Sequence, residues 1–231
     1  MNNLSVVVFA YNEAENIAPV LHDIRAWLDV HEPGATVLFV DDGSTDTTRE
    51  AAEEALRGCS SQVLRHDTNR GIGAALKTAV RHATTEWITF LPADGQVPPE
   101  AIGTLRTAQA RKNADVVLSV YDHRDDGLDR KILSFGVRAL IRLVHGVSLK
   151  SDGPYLFRRD LFDPDQLPPD TFFLNFEFPI RVLAEKRRVA TVTVPCVPRV
   201  RGQSKSTGVK RVLGVARDLV DLRIRRFRGR A

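Results

Sequence analysis

The feature that most constrains this chain is an alternation. Short apolar runs rich in β-branched residues, "LSVVVFA" (Leu4 to Ala10) and "TVLFVDD" (Thr36 to Asp42), stand on either side of a helical pattern. Within that pattern, "EAENIAPVLHDIRAWL", residues Ile17, Val20, Leu21, Ile24 and Leu28 fall on one stripe. Runs this apolar suit strands covered on both faces. The cycle then recurs. A helix from about Thr45 to Leu56 precedes "SQVLRH", one from about Gly73 to His82 precedes "WITFLP", and one after Pro99 precedes "DVVLSV". Such alternation predicts an α/β fold, a mostly parallel sheet with helices on both faces. Ligands bind beyond the carboxyl ends of strands in these sheets. The polar clusters "YNEAEN", "DDGSTD" and "PADGQ" all fall at those ends.

The second half is less regular. "GLDRKILSFGVRALIRLVHGVSLK" predicts a helix from Leu128 to Val144 with Ile132, Leu133, Phe135, Gly136, Ala139, Leu140 and Leu143 apolar, flanked by Arg138 and Arg142. A Pro-rich loop, "FDPDQLPPD", leads to a helix around Glu177 to Lys186 and an extended run, "VATVTVPCVPRV". The last helix carries a stripe of Val209, Val212, Leu213, Ala216, Leu219, Val220, Ile224 and Phe227 among arginines. With 231 residues, 43% of them hydrophobic, one core can be filled. The expected organisation is one domain over 1–207, its nucleotide-sugar half 1–121 and acceptor half 122–207, with a basic amphipathic helix over 208–231.

A net charge of +4 admits anionic partners, and Arg217, Arg223, Arg225, Arg226, Arg228 and Arg230 crowd the end of the chain. The apolar stripe among them needs a covering surface, which argues against a nucleic-acid arm. An anionic bilayer suits it instead, with each cation near the surface contributing about 1 kcal/mol. No run approaches the roughly 20 apolar residues of a membrane span. The opening "MNNLSVVVFAYNE" lacks a basic leader and a cleavage site, so it reads as a strand. Cys59 and Cys196 show no paired spacing, which fits a reducing compartment. The expected location is cytoplasmic, peripheral on the inner face of the cell membrane.

Two motifs carry chemistry, once a dinucleotide fold is set aside. A dinucleotide fold would place its glycine fingerprint in the first strand–helix turn, and "FAYNEAENI" has no glycine. "RGIGAALK" comes too late and lacks the third small residue in place, so the pattern argues against a Rossmann dehydrogenase. In "VDDGSTDTT", a helix N-cap accounts for Ser44 to Asp46. It leaves Asp41 and Asp42 unexplained, because adjacent like charges cost stability without a ligand. A carboxylate there can accept from a base edge or a ribose hydroxyl. "FLPADGQVPPE" has the layout of an acidic metal turn, yet Pro92 stands at the first acid's position and Asp94 alone remains. As an ordinary feature it is a turn before a helix. None of the six histidines clusters with acids at metal-ligand spacing, so they read as surface or packing residues.

"FAYNEAENI", "VLFVDDGSTDTT", "NRGIGAALKTA" and "FLPADGQVPPE" resemble, in order and spacing, the family 2 glycosyltransferases, inverting enzymes of GT-A fold that use nucleotide-diphosphate sugars. The second half, with "RRDLF", "FEFPIRVLAEKRRVATVTVPCVPRVRGQSK" and the basic tail, is similar to their polyprenyl-phosphate (dolichol-phosphate mannose synthase-like) branch. The resemblance runs from Ser5 to about Phe227. It implies a Rossmann-like GT-A sheet, a GDP- or UDP-linked donor, a polyprenyl-phosphate acceptor and a divalent cation, Mg²⁺ or Mn²⁺.

Residue by residue, the resemblance implies nucleoside contacts from Ala10, Tyr11 and Glu13, with Glu13 on ribose hydroxyls. It sets Asp42, beside Asp41, toward the base or ribose, with Arg70 and Gly71 also on the nucleotide. Asp94 and Gln96 match the metal turn. Arg199, Ser204 and Lys205 in "RVRGQSK" match the element that closes over diphosphate and acceptor, and Arg124 matches an acceptor-phosphate arginine. The chain departs from the pattern at Phe9, at Pro92, and at Asp152 and Tyr155, where the branch reads serine and arginine.

The chemistry is consistent with this. A leaving diphosphate needs neutralisation by a cation or by Arg and Lys, and Mg²⁺ is commonly held by one or two carboxylates plus phosphate oxygens and water. A phosphate acceptor is already ionised, whereas a hydroxyl acceptor needs a base, for which Asp152 or Glu177 are the candidates. Glu177 reads equally as a first-turn helix acid. Transfer to a soluble hydroxyl acceptor, such as a natural product or saccharide, and a non-catalytic nucleotide-sugar-binding role remain as alternatives.

Overall fold

A computed structural model of the chain describes residues 3–122, 128–168, 170–198 and 209–229. The strands are β1 (Leu4–Ala10), β2 (Thr36–Asp41), β3 (Ser61–Arg65), β4 (Trp87–Pro92), β5 (Val116–Tyr121), β6 (Leu156–Arg158) and β7 (Val189–Val194). The α-helices are α1 (Ala14–His31), α2 (Thr48–Ala55), α3 (Ile72–His82), α4 (Glu100–Lys112), α5 (Leu128–His145), α6 (Leu174–Ala184) and α7 (Val209–Phe227). One sheet has the order β3-β2-β1-β4-β6-β5-β7. All its pairings are parallel except those of β6, which runs antiparallel to both β4 and β5.

Alternate residues of the buried strands feed two cores. Val6, Val8 and Phe39 point to the face covered by α1, α2 and α4, where Ile17, Leu21, Ile24 and Leu28 lie as their spacing predicts. Val7, Leu38 and Val40 point to the other face, under α3, α5, α6 and α7. Strands apolar on both sides are thereby required, and that is how β1 and β2 read.

Several predicted elements differ in extent. Helix α2 starts at Thr48 and not Thr45, because Ser44 and Thr45 are engaged with the loop after β1. Strand β6, in "YLFRR", is not among the predicted elements, because its three residues are too few to show a period. In α5 the predicted stripe does not coincide with the docked face. Ile141, outside the stripe, is fully buried, while Phe135 and Leu143 within it are 74% and 84% exposed. In α7, Leu219 and Leu222 are fully buried, and Val220, Ile224 and Phe227 are exposed. Burying a leucine contributes about 1.5–3 kcal/mol, and Leu219 and Leu222 join the core on this face of the sheet.

Candidate active site

The strand order reverses at β1 and β4, since β2 and β3 lie to one side of β1 and the rest of the sheet beyond β4. Open α/β sheets bind ligands at such a switch point. Register brings the predicted residues to this edge, with Phe9 opposite Pro92 and Ala10 opposite Asp41.

The loops after β1 and β2 are laced together. The Asn12 amide donates to Ser44 Oγ (3.0 Å), the Glu13 amide to Thr48 Oγ1 (2.8 Å), and Asn12 Oδ1 accepts from the Thr45 amide (2.9 Å). Asn12 adopts a left-handed φ of 54° to do so, a conformation asparagine tolerates better than most residues. Glu13 Oε2 accepts from Asn16 Nδ2 at 2.8 Å, which orients the carboxylate, and Tyr11 is exposed in the same turn. Hydrogen bonds from Thr48 and Ala14 hold the Asp46 carboxyl below its usual range although burial pushes it up.

Asp41 and Asp42 are both buried and both turned into the chain. Asp41 Oδ1 accepts from the Ser44 amide at 2.9 Å, and its buried Oδ2 lies 3.7 Å from Arg65 Nε without a hydrogen-bond partner among the described residues. Asp42 Oδ1 accepts from His66 Nδ1 (2.7 Å) and the Arg70 amide (2.9 Å), while Oδ2 accepts from the Gly71 amide (2.8 Å). This corrects one sequence argument. Asp42 needs no ligand to be tolerated, because three protein donors stabilise it, whereas Asp41 keeps one buried oxygen without a hydrogen-bond partner among the described residues. Asp42 holds the Arg70–Gly71 turn, and only its remaining acceptor capacity can face a nucleotide. Gly43 permits the close approach of these loops, since a Cβ there would lie 2.5 Å from the Thr68 carbonyl carbon.

Helix α3 and the turn before it are tied to the loop that precedes α6. Lys77 Nζ donates to Asp170 Oδ1 at 2.8 Å, and Arg70 Nη2 lies 3.5 Å from Asp170 Oδ2. The hydrogen bond from Lys77 holds the Asp170 carboxyl below its usual range. Gly73 lets the 170–171 backbone touch the helix.

On the β4 side, Asp94 Oδ1 accepts from the Gln96 amide at 3.1 Å, with Gly95 at a φ of 71° between them. The Gln96 carbonyl accepts from the Val197 amide (2.8 Å), and Asp122 Oδ1 from the Cys196 amide (3.1 Å). The acidic turn is thus joined to the ends of β5 and β7. Arg124, Arg199, Ser204 and Lys205 lie outside the described residues. The donor set of the turn, one carboxylate and one amide side chain, fits a hard cation that takes most of its ligands from phosphate and water.

Tyr155, a departure from the family pattern, and Glu177, a predicted site residue, both fall elsewhere. Tyr155 is buried in an aromatic core with Phe90, Phe157 and Phe178, where burial pushes its hydroxyl pKa up. Glu177 is also fully buried, and corrects its candidacy as a base. Arg181 Nη2 (2.7 Å) and Arg225 Nη1 (3.0 Å) donate to Oε1, and Arg225 Nη2 (2.8 Å) donates to Oε2. A carboxylate clamped by two guanidinium groups is a packing device between α6 and α7. Asp152 is half-exposed before β6, its amide donating to the Ser119 carbonyl (3.0 Å) and its Oδ2 lying 3.7 Å from Arg138 Nη1. Sequence reasoning missed His66, Asp122 and Asp170. Each acts across the fold, with no local pattern to reveal it.

Comparison with known proteins places this geometry. The family model described as "Glycosyl transferase family 2" matches residues 5–167. An undecaprenyl-phosphate 4-deoxy-4-formamido-L-arabinose transferase of Salmonella paratyphi A is 32% identical over 167 residues, which is 71% of this chain and 51% of that protein. The chain therefore spans about half the length of the curated relatives it matches. Among solved structures, glucosyl-3-phosphoglycerate synthase from Mycobacterium tuberculosis in complex with phosphoglyceric acid aligns with a TM-score of 0.72 at 19% identity, covering 97% of this chain and 80% of the other. The same enzyme with Mn²⁺, uridine diphosphate and glucosyl-3-phosphoglycerate gives 0.70 at 19% identity, covering 96% and 78%. These likenesses bear out the GT-A fold.

Proposed function

We propose that this chain, which belongs to glycosyl transferase family 2, moves a sugar from a nucleotide-diphosphate donor to a polyprenyl phosphate with inversion. The observation that carries the reading is the junction of the "YNE", "DDGS" and "PADGQ" loops at the β1/β4 switch point, on a chain 32% identical to an undecaprenyl-phosphate sugar transferase. The acceptor phosphate oxygen attacks the anomeric carbon as the bond to the donor's diphosphate breaks. No proton need be removed, because the acceptor is already ionised.

Negative charge builds on the leaving diphosphate. Asp94 and Gln96 would hold a divalent cation there, which when bound supplies charge neutralisation to the phosphate oxygens. Arg199 and Lys205 add cationic charge, Ser204 a hydroxyl donor, and Arg124 binds the acceptor phosphate. Ala10, Tyr11 and Glu13 line the nucleoside side. A carboxylate offers about four lone-pair sites, and the chain fills three on Asp42. The one left matches the single N–H of uracil better than the paired donors of guanine. A UDP-linked donor fits this count, as it does the uridine diphosphate held by a structural relative.

The commitment of Glu177 to two arginines leaves Asp152 as the remaining base for a hydroxyl acceptor, which favours the phosphate. No helix among the described residues is long and apolar enough to cross a membrane. The exposed Phe135 and Leu143 of α5, and Val220, Ile224 and Phe227 of α7, suit contact with the anionic surface where a polyprenyl phosphate resides. The test is incubation of the protein with UDP- and GDP-sugars, Mn²⁺ and undecaprenyl phosphate in micelles. Lipid-linked sugar of inverted anomeric configuration is expected. Donor hydrolysis alone, or transfer only to soluble hydroxyl acceptors, overturns the acceptor assignment.

A further inference from the structure

We infer that His66 is a positioning residue of the nucleotide site, acting through Asp42 on the Arg70–Gly71 turn; the inference rests on the donor-binding reading above. His66 is buried just after β3, its own amide donating to the Asp41 carbonyl at 2.9 Å. Both ring nitrogens are committed, Nδ1 to Asp42 Oδ1 at 2.7 Å and Nε2 to Thr78 Oγ1 at 2.8 Å. An ionised carboxylate only accepts, so Nδ1 carries the proton. In the neutral ring, Nε2 then accepts from the Thr78 hydroxyl on α3. The ring therefore spans from the carboxylate that gathers the turn to the helix that follows it.

The turn depends on that carboxylate. Asp42 Oδ1 is shared by His66 and the Arg70 amide, and Oδ2 takes the Gly71 amide. Gly71 sits at a φ of 92°, directly before α3. With the imidazole in place, the Asp42 carboxylate meets all three donors at once. Without it, one oxygen loses its strongest partner, and the turn that presents Arg70 loses its anchor. Supporting hydrogen bonds of this kind hold a binding group within the small tolerance its geometry requires.

Two substitutions separate positioning from packing. His66→Asn retains a donor near the position of Nδ1, and His66→Gln retains one near Nε2 and loses the contact to Asp42. His66→Gln is expected to raise the donor KM and the dissociation constant for uridine diphosphate about tenfold, with kcat within about twofold. His66→Asn is expected to stay within about threefold of wild type on both. Should His66→Gln fail to fold, Thr78→Val removes the bond that orients the ring and is expected to raise KM about threefold. Unchanged KM in His66→Gln and Thr78→Val overturns the inference, as does an equal rise in the Asn and Gln variants. A wild type that binds no nucleoside diphosphate overturns the donor-binding reading itself, an outcome distinct from these.

Discussion

Removing the Glu177 carboxylate tests how α7 is held. In Glu177→Gln the side-chain volume stays and the charge goes, leaving Arg181 and Arg225 facing a neutral amide. Arg181 is 11% exposed, Arg225 is 26% exposed and Glu177 is fully buried. Breaking a buried pair by removing one partner costs about 3–5 kcal/mol, because the remaining charge stays desolvated. Partial exposure of Arg225 lets water recover some of that, so a loss of about 3 kcal/mol is expected. A domain of ordinary stability holds about 5–15 kcal/mol in total, so the change is large and the fold survives it. The assay is urea denaturation of wild type, Glu177→Gln, Arg225→Met and the double variant. The double variant should recover part of the loss, since it no longer strands the Arg225 charge. A loss below about 1 kcal/mol in Glu177→Gln would refute the clamp, since this is the range of a solvent-exposed pair.

Other expectations are as specific. In Gly73→Ala the added Cβ would lie 2.5–2.6 Å from backbone atoms of Asp170 and Thr171. Such overpacking costs about 1–3 kcal/mol and outweighs the helix-propensity gain of about 1 kcal/mol, so a lower melting temperature is expected; a rise would show that the 170–171 loop yields. Burial, followed by the nearby arginines, pushes the His145 pKa down, although its contact with the Leu219 carbonyl raises it. The unfolded chain then binds the proton more readily, and stability should fall as pH drops below 6.5, the unfolded value. A second loss should follow below 3.8, as Asp115, held low by Arg188, and Asp170, held low by Lys77, are protonated through their depressed folded pKa values. Urea midpoints against pH check both steps, and His145→Phe should remove the first. Co-sedimentation with vesicles should rise with anionic lipid and fall with salt, because surface attraction is screened within about a Debye length; equal binding to neutral vesicles would contradict a role for the basic helices.

How much of this was legible in the sequence differs by element. The strands β1, β2, β4 and β5 were readable because each is apolar on both faces, a pattern no surface element shows. The stripe of α1 was equally plain, since its buried residues sit on one side of a helix packed on one face. The split of α5 and α7 was not. Their apolar residues divide between a docked face and an exposed one, and periodicity counts both alike. The carboxylate-rich turns were visible, but their internal use was not. Asp42 meets His66, Arg70 and Gly71, and Glu177 meets Arg225, through contacts between residues far apart in the chain. Local pattern carries no record of such pairs. Pro92 is instructive in the opposite sense. Its departure from the acidic motif was evident from sequence, and the structure adds that it ends β4 beside Phe9, with Asp94 held in a tight turn just beyond.

The central proposal is that Asp94 supplies the carboxylate of the "PADGQ" turn to a metal-assisted sugar transfer. The most direct measurement is the rate of sugar transfer to polyprenyl phosphate against Mn²⁺ concentration, for wild type, Asp94→Asn and Pro92→Asp. Wild type should depend on Mn²⁺ with weak apparent affinity, and Pro92→Asp should tighten that affinity if the turn accepts an acid where proline fixes φ. Asp94→Asn should abolish transfer and leave nucleotide affinity in metal-free buffer nearly unchanged. Full wild-type rate in the presence of a chelator, with Asp94→Asn equally active, would contradict the account and leave neutralisation of the leaving group to arginine and lysine alone.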